Sequence, residues 1–132
     1  MKVLLVDTNI VSILFKRESP LYRRCADAVR DSQCHISFMT RAELLLWPQL
    51  NSWGGQRRLL LEQHIREFTT LLPDEEECSL WAGIVVESRM AGRPMSDSDA
   101  WIAATAKRWR IPLLTDNYKD FEHLREIEVR RL

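Results

Sequence analysis

No stretch of this 132-residue chain approaches the roughly 20 apolar residues that a bilayer-spanning helix needs. Its first residues lack the basic, apolar and small-residue regions of a secretory signal and run straight into a strand-like segment, so a cytoplasmic protein is expected. Cysteine is sparse. Cys25, Cys34 and Cys78 are odd in number, far apart and without C-x-x-C spacing, which argues against a disulfide frame or a thiolate zinc site. His35, His64 and His123 stand alone, with no H-x-x-x-H or H-x-x-E-H pattern. The 19 basic and 19 acidic residues cancel, so no overall field points to nucleic acid and only local patches could attract one. Neither an internal repeat nor a low-complexity segment is present. What remains is the composition of an ordinary globular protein, 45% hydrophobic and 29% charged, at a length that suits one domain over 1–132. A chain this long buries roughly two-thirds of its unfolded surface and needs no staple.

Strand-like and helical segments alternate. Val3–Val6 reads as a short buried strand of the kind parallel sheets use. Asn9–Lys16 reads as a short helix. Ser19-Pro20 opens a second, running to about Asp31 with Leu21, Cys25, Ala28 and Val29 along one side. His35–Phe38 is the next strand, followed by a helix from Arg41 that should stop before Pro48. The run "WPQLNSWGG" is the most loop-like. Gln56–Phe68 is helical by pattern, and Thr69–Leu72 a strand ended by Pro73. Asp74-Glu75-Glu76-Glu77 reads as the solvated start of a helix through about Met90. "AGRP" breaks the chain before a helix over Asp97 to about Arg110, and Ile111–Thr115 and Ile127–Val129 complete the strands. The alternation predicts an α/β/α sandwich around a mostly parallel central sheet.

Ligands of open parallel sheets bind beyond the carboxyl ends of the strands, and this chain puts acids there repeatedly. Asp7 ends the first strand, Glu43 follows the second by a helical turn, and Asp116 follows "IPLLT". Asp97 and Asp99 lie in the first turn of "SDSDAWIAATA". Each also has a purely structural reading: Asp7 as an N-cap, Thr40–Glu43 and Ser96–Asp99 as near capping boxes, Asp116-Asn117 as a turn. Helical spacing separates them further. Glu43 shares a face with Leu46, Trp47 and Leu50, and Asp99 with Ile102, Ala103 and Ala106, so both should point inward. Asp97 falls with Trp101, Ala104 and Arg108 and should be the outer neighbour. Inward carboxylates at one edge repel, and need either a cation or protons. All-oxygen donors favour Mg²⁺ or Mn²⁺ over zinc, and such a cluster suits metal-assisted phosphodiester cleavage.

With these residues placed, the chain resembles the PIN-domain nucleases and, within them, the VapC-type toxins of toxin–antitoxin pairs. The likeness is carried by "LLVDTNIVS", "ISFMTRAEL", "SDSDAWIAATA" and "LLTDNYKDF", in the family's order and spacing along nearly the whole chain. It implies a metal-dependent endoribonuclease with catalytic acids at Asp7, Glu43 and Asp99, and a fourth in the turn after Thr115. It also implies a polar network of Thr8 and Asn9 around Asp7, with Ser37 or Thr40 at the rim. A homodimer, an antitoxin whose tail occupies the groove beside the site, and a structured RNA substrate such as transfer or ribosomal RNA come with it. In the mechanism so implied, Asp7 and Asp99 hold the ion, Glu43 orients or deprotonates water, and Asp116 completes the shell or supports a second ion, about 3.5–4 Å away in two-metal sites. The family often has its fourth acid where this chain has Asn117. Asp116 taking that role, Asn117 holding a metal-bound water, and a three-acid site all stay open.

Cationic contacts for RNA are expected from Arg17, Arg41, Arg89, Arg93 and Lys119, each beside a motif or at a neighbouring helix end. Most of the five tryptophans read as core, but Trp47 and Trp53 flank the loop and could instead form an apolar groove for an antitoxin helix or a dimer partner. Two rivals stand beside the nuclease. A haloacid-dehalogenase-like phosphatase or a receiver domain also places an acid after its first strand, but the phosphatase pattern wants an acid where Asn9 stands. A non-catalytic RNA- or protein-binding module would keep the fold without turnover.

Overall fold

β1 (Lys2–Val6) is the middle strand of a five-stranded sheet, and the computed structural model describes residues 2–132. α1 (Thr8–Phe15) and α2 (Tyr22–Val29) lead to β2 (Ser32–Ser37) beside it. α3 (Phe38–Leu50) and α4 (Gly55–Ile65) precede β3 (Thr69–Leu71), which pairs with β2. α5 (Glu75–Met90) and α6 (Asp97–Trp109) then bring the chain across to β4 (Leu113–Thr115) on the other side of β1. A 3₁₀ turn at Tyr118–Asp120 precedes the edge strand β5 (Val129–Arg131). The order is β3-β2-β1-β4-β5, and every pairing is parallel. Parallel strands need crossover connections, and helices supply them here, covering both faces.

Each face has its own core. Leu4, Val6, Ile10, Val11, Cys25, Ile36, Leu44 and Ile65 pack on one side, where α1 to α4 lie. Leu5, Ile84, Ile102, Leu113, Phe121 and the alanines of α6 pack on the other. Alternate residues of β1 thus serve opposite cores, and each fully buried Leu, Val or Ile contributes roughly 1.5–3 kcal/mol. Cys25, Cys34 and Cys78 are free thiols. Among the described residues no helix is long and apolar enough to cross a membrane.

Two expectations about α3 fail. The helix begins at Phe38 rather than Arg41, and it runs through Pro48 instead of stopping before it. Pro48 is buried, and its carbonyl accepts from Trp53 N at 2.9 Å and Arg58 Nη2 at 3.2 Å. Packing and those bonds offset the one ladder bond the ring removes. The row α3 turns inward is Thr40, Leu44 and Pro48. Leu46 and Leu50, expected to be buried with Glu43, are 49% and 69% exposed. In a run as apolar as "LLLW", side-chain type alone does not say which stripe faces the sheet.

Candidate metal centre

Three elements deliver the acids to the carboxyl edge of the sheet. β1 is exposed at Lys2 and Val3 and buried from Leu4 to Val6, and α1 begins beyond Asp7, so this carboxyl leaves the strand already shielded, at 5% exposure. Asp7 is also the N-cap of α1. Its Oδ1 accepts from Thr8 N at 2.7 Å, and its Oδ2 accepts from the Thr115 hydroxyl at 2.7 Å. The capping reading of this residue is thus borne out, and a second donor holds its other oxygen. Burial raises its pKa to about 6, and the charges of Asp99 and Asp116 push the same way against the two donors.

Glu43 reaches the edge from the second turn of α3. Thr8 Oγ1 lies 2.8 Å from its Oε1 and 2.9 Å from Thr40 Oγ1, which ties α1 to α3 around this carboxylate. Thr40 does not cap the helix; Ser37 does, accepting from Met39 N at 3.1 Å. Ser37 and Thr40, expected at the rim, are both fully buried. Asp99 sits in the first turn of α6, where Ser96 is the N-cap and accepts its backbone N–H at 3.1 Å. Burial raises the Asp99 pKa, Asp120 adds to the effect, Ser96 opposes it, and Glu43 raises it further. As the spacing predicted, Ile102, Ala103 and Ala106 are buried beneath Asp99, and Asp97 faces outward.

The fourth position is split between two residues. Asp116 is exposed and accepts from the Asn9 amide at 3.5 Å. Asn117 gives its backbone N–H to the Thr115 hydroxyl at 2.9 Å. Thr115, fully buried, thus joins the turn to Asp7. Of the expected cationic residues, Arg17, Arg89 and Lys119 are exposed, and Arg41 lies 3.4 Å from the Thr70 hydroxyl. Arg93 is engaged internally, 3.1 Å from Glu122 and bonded to the carbonyl of Lys119. Trp53 stacks on Phe15 and lies under Arg57, so much of its ring is already covered.

Glu77 departs furthest from expectation. It lies in the acidic run read as a solvated helix start, yet it is fully buried, because it shares the inward face of α5 with Ile84 and Ser88. That spacing of seven and eleven was the signal available in the sequence. Its Oε2 is 3.3 Å from the Thr105 hydroxyl, its Oε1 has no partner, and burial raises its pKa. Thr105, missed by sequence reasoning, is also 2.9 Å from Ser37 Oγ, the cap of α3.

The donor set fits a hard divalent cation. Asp7, Asp99, Glu43 and Asp116 are all-oxygen groups; burial first, and neighbouring acids after it, make the Asp7 and Asp99 carboxylates costly to charge, and a cation would offset that cost. Among the described residues no three such side chains already converge to enclose an ion.

A model of the PIN domain family matches residues 4–127. Ribonuclease VapC1 of Haemophilus influenzae is 28% identical over 134 residues, spanning 96% of this chain and 95% of that protein. The solved VapBC-1 structure from nontypeable Haemophilus influenzae superposes with a TM-score of 0.81 at 25% identity, over 98% of this chain and 97% of that one. VapBC-5 from Mycobacterium tuberculosis, described as a member of the VapBC family of toxin–antitoxin systems, gives 0.71 at 21% identity with full coverage of both chains.

Proposed function

The chain belongs to the PIN-domain family, and from that premise we propose that it is a divalent-metal-dependent endoribonuclease, the toxin of a VapBC-type pair. The observation that carries this reading is the shielded Asp7 carboxyl, held by two donors and raised in pKa beside Asp99 and Asp116. Family membership leaves the phosphatase and receiver readings without support, and the intact acids favour turnover over passive binding.

Asp7, Asp99 and Glu43 would hold Mg²⁺ or Mn²⁺, with Asp116 as the outer fourth acid. When bound, such an ion lowers the pKa of water and neutralises charge on the phosphate. The chain's own residues do the rest. Thr115 and Thr8 N keep Asp7 in one rotamer. Thr8, itself bonded to Thr40, aims Glu43, which would orient the attacking water or take its proton. Asn9 steadies Asp116. Exposed Arg17, Arg89 and Lys119, with Arg41, contribute phosphate contacts to a structured RNA such as transfer or ribosomal RNA.

The VapBC names of the relatives support a cognate antitoxin as partner. The exposed leucines of α3, Leu45, Leu46 and Leu50, offer apolar surface to it or to the second copy of a homodimer. Free cysteines suit a cytoplasmic setting. The test is cleavage of total cellular RNA by the purified protein with Mg²⁺, Mn²⁺ or EDTA, beside Asp7→Asn and Asp99→Asn. Discrete metal-dependent products that both variants lose support the reading. Equal cutting by the variants, or no products from the antitoxin-free protein, overturns it.

A further inference from the structure

The 3₁₀ turn at Tyr118–Asp120 stands as a ridge between two clefts. One, about 270 Å³, lies against Asp99 and takes in Arg93, Lys119 and His123. The other, about 510 Å³, opens beside Asp116 and is bounded by Asn117, Tyr118, Lys119, Asp120 and Arg131. Both clefts border the acids, so a strand crossing the acids must lay a neighbouring nucleotide against one of them.

The larger cleft has a floor made for a planar group. The Arg131 guanidinium lies over the Tyr118 ring, 4.4 Å from its centroid. Both are rooted in rigid backbone. Arg131 is paired with Thr115 in the β4–β5 ladder, and the Tyr118 carbonyl accepts from Phe121 N at 3.1 Å and Glu122 N at 3.0 Å, with Phe121 fully buried. The Tyr118 ring itself belongs to neither core. Arg93, Lys107, Arg108 and Arg130 each hold a carboxylate, whereas Arg131 makes no ion pair among the described residues. Its charge and its outer face are available. Asp116 and Asp120 on the rim balance Lys119 and Arg131, so the cleft does not favour a phosphate. A neutral, flat, hydrogen-bonding ring suits it better.

We propose that the Tyr118–Arg131 stack is a subsite for one unpaired nucleobase next to the scissile phosphate. This rests on the nuclease reading for the identity of the ligand. Stacking accepts any base, because every base has a π face. The subsite therefore selects single-stranded over paired RNA at this position, and leaves sequence choice to other contacts.

The test is fluorescence anisotropy of short single-stranded oligoribonucleotides in EDTA, which separates binding from turnover, for the unmodified protein, Tyr118→Phe and Tyr118→Ala. Alanine should weaken binding about tenfold or more, and phenylalanine, which keeps the ring, by no more than about twofold. A scan with one abasic residue per oligonucleotide should find a position where the unmodified protein loses the same factor and Tyr118→Ala loses nothing further. A duplex of the same sequence should bind the unmodified protein more weakly. The subsite is overturned if Tyr118→Ala binds normally, if phenylalanine fails as badly as alanine, or if abasic and alanine losses multiply at every position. Loss of metal-dependent cleavage with the Tyr118 effect intact would instead sink the nuclease reading.

Discussion

Asp7 and Glu77 are both carboxyls that folding removes from water, and they are removed in opposite ways. Asp7 has a donor on each oxygen and two further acids acting on it. Glu77 has one oxygen at 3.3 Å from Thr105 of α6, one without a partner, and is fully buried where α5 packs on α6. Burial raises the pKa of each. At Asp7 two neighbouring acids add to the effect of burial, whereas at Glu77 Asp74 adds to it and the Thr105 hydroxyl and Arg108 oppose it. A buried acid marks a metal centre when its neighbours are also acids and solvent lies on one side, and otherwise it behaves as a neutral hydrogen-bonding group.

Substitution separates the pair most sharply. Asp7→Asn should lower cleavage by a thousandfold or more, since metal-assisted steps carry several kcal/mol and each 1.36 kcal/mol is tenfold in rate. Glu77→Gln should keep activity within about threefold, because the amide preserves the shape and the acceptor facing Thr105. Initial rates at saturating Mn²⁺ check both, and an inactive, folded Glu77→Gln would erase the distinction.

The next largest effect is on stability against pH. The folded Asp7 pKa is about 6 against an ordinary 3.8, so the folded chain holds this proton more tightly than the unfolded one. Its stabilisation is complete below about pH 4 and is lost as pH rises to about 6. At 1.36 kcal/mol per pH unit the loss is about 3 kcal/mol. Glu77 acts with the same sign. In chelator, urea melts should show stability falling over this range. Mn²⁺ should restore the part owed to Asp7 and leave the part owed to Glu77, which Glu77→Gln alone removes.

Thr115→Val tests the donor side of the comparison. It takes the hydroxyl from Asp7 Oδ2 and the acceptor from Asn117 N, so it should cost about 1–3 kcal/mol and raise the Asp7 pKa further. An unchanged melting midpoint would mean that the two short bonds matter little. The smallest effect belongs to the surface. Arg89→Ala should leave stability within about 0.5 kcal/mol and lower the salt dependence of RNA binding by about 0.7 in log–log slope.

The contrast also shows what the sequence could reveal. The burial of Asp7, the buried alanines beneath Asp99 and the parallel sheet were legible because their signals are local: an apolar strand ending on an acid, an acid on an alanine stripe, alternating elements. Glu43 was reached by a partly mistaken route, since two of the leucines invoked beside it face solvent. Glu77 was hidden by three acidic neighbours that made it look like a solvated helix start, and its burial depends on α6 packing across it. The Tyr118–Arg131 stack joins residues thirteen apart through a strand pairing that periodicity does not display.

The most direct test of the metal centre is calorimetric titration of Mn²⁺ into the metal-free protein at pH 6 and pH 7.5, beside Asp7→Asn and Glu77→Gln. The unmodified protein and Glu77→Gln should bind and release more protons at pH 6, where Asp7 is about half protonated, and Asp7→Asn should bind at least tenfold more weakly. Equal affinity in Asp7→Asn, or no binding by the unmodified protein, would contradict the assignment of this edge as a metal site.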